Sequence, residues 1–347
     1  MKTKIVCTIG PASDSEEMLE KLIKAGMNIA RFNMCHGTIE GTAERMRRVQ
    51  ALRKKLKADV LVMLDTQGPD VRIGKFKDPK VDVVAGQTFK FYFGDEHKDL
   101  LGTVDGVYVP YEKMLRIVKK GSQLALNDGH VKMTITEIKD NVITAKVDAG
   151  GVLKNHKSLA APGYDLQLPF IAPYDIIDFK MGVEVGVDMI AASEVSRPQD
   201  ILDLRKWLDE NGGEKIKIIS KIESRIGISN LDRIVELSDG HMFARGGLGT
   251  DVGLENLAPL QKQVIRAFRD AGKMIICATE MLESMTEKPS PTRAEASDVA
   301  NAVWDGATHL MLSGETTVGK YPVQCVEFMV KAAAVAEKHP QYNRFAK

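Results

Sequence analysis

Lys221 and Glu223 stand two residues apart at the end of a short apolar run, one of eight such runs that close on polar or charged side chains. The other endings include Arg31 and Asn33, Asp65 and Thr66, Ser193, Arg245, Thr279, and Ser313 with Glu315. Cations, carboxylates and hydroxyls are the groups that bind anions, hold hard metal ions and stabilise developing charge. Residues two apart on a strand share a face, so Lys221 and Glu223 suit one shared site. The same spacing also suits a plain structural ion pair.

The runs are Lys4–Gly10, Met27–Asn33, Val60–Thr66, Val187–Ser193, Ile216–Glu223, Met242–Gly246, Met274–Thr279 and His309–Glu315. Near-continuous Val, Ile and Leu runs read as buried parallel strands. Their alternation with helical segments reads as βαβ units. Eight units predict an α/β fold, a (β/α)8 TIM barrel whose active site lies at the C-terminal ends of its strands. In the first unit Ser13 or Ser15 is placed to cap a helix, and Glu16 to close a capping box. Met18, Leu19, Leu22 and Ile23 supply its apolar face and Gly26 its stop. A second helix is predicted over Ile39–Leu56.

From Gly68 to Leu166 strict alternation replaces helical rhythm, as in Thr88-Phe89-Lys90-Phe91-Tyr92-Phe93 and Lys132-Met133-Thr134-Ile135-Thr136-Glu137. Turns fall at Asn127-Asp128-Gly129, Lys139-Asp140-Asn141 and Gly150-Gly151. This predicts a small all-β domain inserted after the third strand, with barrel parts 1–68 and 167–347 flanking an insert 69–166. An insert in a βα loop is expected to cover the barrel mouth as a lid. A last helix is predicted over Pro322–Glu337, with a loosely patterned tail to Lys347 and no room for a further domain.

Basic and acidic residues number 48 and 47, a net charge of +1, so nucleic acid is not an expected partner. No apolar run reaches the roughly 18 residues of a membrane span, so no membrane partner is expected. Met1-Lys2-Thr3-Lys4 enters a strand without a signal-peptide core. Cys7, Cys35, Cys277 and Cys325 show neither zinc spacing nor a disulfide framework, which predicts a cytoplasmic protein.

Several segments resemble the pyruvate kinase family. Thr3-Lys4-Ile5-Val6-Cys7-Thr8-Ile9-Gly10-Pro11-Ala12-Ser13 is similar to its opening, and Leu64-Asp65-Thr66 with Gly68-Pro69 to its third-strand turn. Ile219-Ser220-Lys221-Ile222-Glu223 and Ala244-Arg245-Gly246 also match. So do Pro291-Thr292-Arg293-Ala294-Glu295-Ala296-Ser297-Asp298-Val299-Ala300-Asn301-Ala302 and Met311-Leu312-Ser313-Gly314-Glu315-Thr316. The resemblance spans essentially the whole chain. It implies a barrel with a β-barrel cap after the third strand, and phosphoryl transfer from phosphoenolpyruvate to ADP giving pyruvate and ATP. Mg²⁺ or Mn²⁺, with K⁺, are the implied cofactors.

The resemblance also assigns roles. Arg31 and Arg72 match phosphate-holding positions, and Lys221 the cation that stabilises the enolate and the moving phosphoryl group. Glu223 matches a divalent-metal ligand. Thr279 matches a residue beside the substrate carboxylate and enolate, and Ser313 a member of the proton-delivery network. Asn33, Cys35, Asp65 and Thr66 occupy the monovalent-cation positions. His36 and Arg72 fall near the nucleotide, and the Gly246 and Gly247 amides are placed to receive a carboxylate; Lys157, read from the residues alone, suits either a nucleotide phosphate or a solvated lysine.

Departures from the family pattern shape further expectations. Gly247 stands where the family has the second metal carboxylate, so Glu223 alone should hold a divalent ion weakly. Glu194 and Glu280, in place of Phe and Gln, are candidate replacements, or else solvated or paired surface charges. Cys35 replaces a Ser and Gln67 a Lys. The family's C-terminal domain supplies a second interface and the sequence ends at Lys347, so a homodimer or monomer is expected. Two rival readings stand beside pyruvate kinase activity. One is a catalytically impaired relative that binds nucleotide or phosphoenolpyruvate as a sensor or interaction subunit. The other is a diverged metal-dependent enzyme acting on a related keto acid.

Overall fold

The eight apolar runs do form strands. In the computed structural model, which describes residues 2–127 and 129–339, parallel strands close into a barrel. They are, first to eighth, Lys4–Thr8, Met27–Asn33, Leu61–Asp65, Met189–Ala192, Lys217–Ser220, Gly240–Ala244, Met274–Ala278 and His309–Leu312. Most strands stop before the apolar run does. Thr66, Ser193, Lys221, Glu223, Thr279 and Ser313 therefore lie just past the strand ends, not within them. The ladder frays there one bond at a time: Thr66 N–H still donates to the Ala191 carbonyl at 3.0 Å, and Lys221 N–H to that of Ala192 at 2.9 Å.

The barrel interior explains which polar groups meet. Val6, Ile29, Met63, Ala191, Ile219, Met242, Ile276 and Met311 form a buried cluster inside it. Side chains repeat every second residue, so the next position on that face is Thr8, Arg31, Asp65, Ser193, Lys221, Ala244, Ala278 and Ser313. Six contiguous strands, the eighth and the first to fifth, thus carry polar side chains at their C-terminal ends, while the sixth and seventh carry alanine. The chemistry is gathered to one side of the barrel.

Local signals set the helices. Ser15, not Ser13, caps the helix Glu16–Ala25 by accepting from Met18 N–H. Ser13 is buried, its hydroxyl bonded to Gly10. Glu16 is the first helical residue, so it cannot close the capping box that its sequence position suggested. Thr38 caps Ile39–Leu56, which has the expected bounds. The last helix spans Pro322–Lys338, and the tail that follows falls mostly outside the described residues.

The chain divides into two compact units. One holds the chain up to Gly68, Phe170–Arg245 and the chain from Asn256 on; the other holds Pro69–Pro169 with Gly246–Glu255. The inserted unit is an all-β fold with one six-stranded sheet and one two-stranded sheet. Phe89, Phe91 and Phe93 alternate inward and are fully buried, each contributing roughly 1.5–3 kcal/mol. The Lys139-Asp140-Asn141 signal is a two-residue hairpin turn, with φ of +46° and +57° at Asp140 and Asn141. In the Asn127-Asp128-Gly129 turn, Asp128 lies outside the described residues. No helix of the described residues is long and apolar enough to cross a membrane.

Two histidines are held in neutral form, His241 fully buried and His309 half-buried. His241 stacks on Phe268 with centroids 4.8 Å apart, and burial pulls its pKa from 6.5 to about 3. Burial, then the charges of Lys4 and Lys217, bring His309 to about 4. Below pH 6.5 the unfolded chain protonates these rings and the folded chain does not, so stability falls with pH. Asp178 works against this more weakly. Burial and then Asp175 push it up to about 6, so it favours the folded state as pH falls through that range. The urea midpoint is expected to drop between pH 7 and pH 5, and His241→Phe to flatten that slope. A midpoint independent of pH would contradict the assignment.

Candidate active site

Asp65 is the hub of the polar layer. Its carboxylate, with a side chain only 1% exposed, accepts from Arg31 Nε at 2.5 Å and from Lys221 Nζ at 3.1 Å. Burial opposes its ionisation, but those two cations hold its pKa below the usual carboxylate range. Lys221 is the mirror case. Burial would strip its proton, yet Asp65 and then Glu223 hold the ammonium above the usual lysine range. Arg31, Lys221, Asp65 and Glu223 form a buried cluster whose formal charges cancel.

The cluster leaves donors unspent. Arg31 uses Nε on Asp65 and Nη1 on the Thr8 hydroxyl at 2.8 Å. Its Nη2 has no hydrogen-bond partner among the described residues. Lys221 spends two protons on Ser193 Oγ at 2.6 Å and Asp65 Oδ1 at 3.1 Å. Its third faces Glu223 Oε1 at 3.7 Å, beyond hydrogen-bond range. Two fixed cations, each with a donor to spare, are suited to an anion with several oxygens.

Thr8 and Ser193 are the members that sequence reasoning did not assign. Ser193 is 3% exposed. Its hydroxyl proton goes to the Thr66 carbonyl at 2.7 Å, and its backbone N–H to Thr66 Oγ1 at 3.0 Å. This fixes the oxygen that receives Lys221. Gly68 allows the fit: at φ +74°, an added Cβ there would meet the Ser193 Cβ at 2.6 Å. Every-second-residue parity from Val6 and Ala191 was the available signal.

Thr279 and Glu280 follow the seventh strand with φ of +76° and +54°. A β-branched residue in this region is strained by about 1–3 kcal/mol. Arg245 holds the turn in place. Its Nε donates to the Ala278 and Thr279 carbonyls at 3.1 and 2.9 Å, and its Nη1 pairs with Asp298 at 2.6 Å. The Thr279 hydroxyl has no hydrogen-bond partner among the described residues. Arg245→Met is expected to destabilise the fold by about 2–4 kcal/mol. A denaturation midpoint within error of the parent would show that the clamp carries no load.

The cation candidates fall into two sets. Glu223 has a side chain 10% exposed, and its Oε2 accepts from the Glu194 backbone N–H at 3.1 Å. It is thus the Glu194 backbone that touches Glu223. Glu280 acts electrostatically on Arg245. Among the described residues no group of three or more His, Cys, Asp and Glu side chains could hold a metal ion. A divalent ion here would find one firm protein carboxylate, a donor set that fits an ion whose other ligands are water and substrate phosphate. For a monovalent ion, Asn33 and Asp65 are register partners on adjacent strands. Asn33 Oδ1 and Thr66 Oγ1 each spend one bond on a backbone N–H. A carboxylate has about four acceptor sites, so Asp65 keeps capacity beside its two cations. These oxygens suit a monovalent cation; Cys35 is exposed and offers only a thiol.

The remaining candidates are placed as follows. His36 is exposed in the turn after the second strand, its N–H on the Asn33 carbonyl at 3.4 Å. Ser313 N–H donates to Glu315 at 2.7 Å. Within the inserted unit, Arg72 lies opposite Ser158 in an antiparallel bridge, which makes Lys157 its near neighbour. Arg72 pairs with Asp70 at 2.9 Å. Gly246 and Gly247 are exposed in the first turn of the helix Arg245–Val252.

Residues 1–326 match the family model for the pyruvate kinase barrel domain. The chain is 40% identical to the pyruvate kinase of Clostridium perfringens over 342 residues, covering 99% of this chain and 72% of that protein. It is 43% identical to the pyruvate kinase of Bacillus licheniformis over 339 residues, covering 97% of this chain and 57% of that protein. With the pyruvate kinase of Staphylococcus saprophyticus the identity is 43%, over 99% of this chain and 58% of that protein. The chain therefore spans between 57 and 72% of the length of these relatives.

Proposed function

The chain belongs to the pyruvate kinase family, and on that premise we propose that it transfers a phosphoryl group between phosphoenolpyruvate and ADP, giving pyruvate and ATP. The observation that carries this reading is the pair of uncommitted donors on Arg31 and Lys221 beside the buried cluster. Arg31 Nη2 holds the substrate phosphate. Lys221, kept charged by Asp65 and Glu223, stabilises the enolate oxygen as the bond to phosphorus breaks. The Thr279 hydroxyl sits beside the substrate carboxylate and enolate, and the Gly246 and Gly247 amides receive that carboxylate. Ser313 belongs to the network that delivers a proton to the enolate carbon. Arg72, Lys157 and His36 take the nucleotide.

A bound divalent ion, Mg²⁺ or Mn²⁺, supplies Lewis-acid neutralisation of phosphate charge, with Glu223 as its protein ligand. Glu194 and Glu280 are second candidates. Asn33, Asp65 and Thr66 would hold K⁺, with Cys35 a poor fourth donor. Four unbridged thiols, three of them buried, suit a reducing cytoplasm.

Gly247→Asp is expected to tighten Mn²⁺ binding by restoring a second hard ligand, as read by calorimetry. Unchanged affinity would place the metal elsewhere, and Glu194→Gln or Glu280→Gln should then weaken it. The reading as a whole is tested by pyruvate release from phosphoenolpyruvate and ADP, with Mg²⁺ or Mn²⁺ and with or without K⁺. A divalent-dependent rate supports it. Binding of phosphoenolpyruvate without turnover would favour the rival sensor role, for which Gly247 is the argument.

A further inference from the structure

The opposite end of the barrel carries a second group of cations. Two residues before the interior layer Val6 to Met311, on the same face of each strand, stand Lys4, Met27, Leu61, Met189, Lys217, Gly240, Met274 and His309. Five are apolar or glycine, three are basic, and none is acidic. Lys4 and His309 are register partners on adjacent strands. Lys217 starts the fifth strand, and its charge reaches His309 across the interior.

These charges lack counter-charge. Among the described residues no carboxylate lies within 4 Å of either ammonium. Three acids at this end are spent elsewhere. Asp188 is bound to Arg53 and Val62 N–H, Asp239 to Ile218 N–H and Arg205, and Glu337 to the N–H groups of Lys2 and Thr3. Lys273 faces backbone carbonyls of Glu236 and Ser238. His309 itself is half-buried, with Nδ1 at 2.8 Å from the Thr308 hydroxyl, so Nε2 is the ring atom left for a partner. Lys4, in register with His309, and Lys217 both act against protonation of that ring, which a bound anion would reverse.

We propose that this floor of the barrel is a binding site for a small oxyanion of the phosphate type, held by Lys4, Lys217 and His309. Two ammonium groups and one imidazole N–H match a tetrahedral dianion in charge and in donor type. The site is independent of the phosphoryl-transfer cluster, which lies at the other end of the strands.

The test is the NMR titration of the His309 ring in the full chain, assigned through His309→Gln, with inorganic phosphate against chloride at equal ionic strength. Phosphate is expected to raise the pKa of His309 by about one pH unit or more. Lys4→Met or Lys217→Met should reduce that response, and Lys221→Met should leave it intact. A response that chloride reproduces would reveal general screening and overturn the proposal. So would no response, or one that survives both lysine replacements.

Discussion

Lys221→Met is expected to lower kcat by about 10²-fold or more while changing the KM for phosphoenolpyruvate far less. The reason is timing. The ammonium already has two partners in the resting cluster, Ser193 and Asp65, so its remaining donor capacity meets charge that grows as the phosphoryl group leaves. An interaction made mainly in the transition state appears in kcat. Methionine keeps most of the apolar stem and removes the ammonium with its donors. Steady-state kinetics on a folded variant decide the point, and a kcat equal to that of the parent would remove Lys221 from the chemistry.

Asp65→Asn is expected to have the largest effect on the fold. Breaking a buried pair costs about 3–5 kcal/mol, because the remaining charge keeps its desolvation penalty. Here two cations lose the same partner, since Arg31 and Lys221 share that carboxylate. Arg31 and Lys221 would then repel across the gap. Without Asp65, burial also weighs more heavily on Lys221, whose pKa falls. Activity should then peak where the lysine is still charged and decline earlier on the alkaline side. Denaturation of the variant measures the first effect and a pH–rate profile the second. A loss under about 1 kcal/mol would show that the cluster is better solvated than its burial indicates.

The barrel was legible because its strands are buried on both faces and read as apolar runs, and the second helix because Thr38 and its apolar spacing mark it locally. Strand ends were less legible. Hydrophobicity continues into Ile222, two residues past the end of the fifth strand at Ser220, whereas the ladder stops when the backbone turns away. The Lys221–Glu223 pair was visible as a spacing, but Asp65 as the shared partner of Arg31 and Lys221 was not. That contact depends on strands 34 and 156 residues apart in sequence coming into register. Ser193 was marked as a strand ending and given no role, since its role comes from Thr66 and Gly68, just past the end of the neighbouring strand. The Arg245 clamp joins residues 53 apart, and no local pattern announces it. Lys4, Lys217 and His309 likewise read as three unrelated strand starts until the interior parity aligns them.

The most direct test follows phosphorus itself. Phosphoenolpyruvate, ADP and Mg²⁺ are mixed with the full chain, and ³¹P spectra are recorded beside an equal sample of Lys221→Met. The expected result is loss of the enol phosphate signal matched by growth of the γ-phosphate of ATP, far slower in the variant. Loss of the enol phosphate to inorganic phosphate, or an unchanged spectrum from folded protein that binds the substrate, would contradict phosphoryl transfer at this cluster.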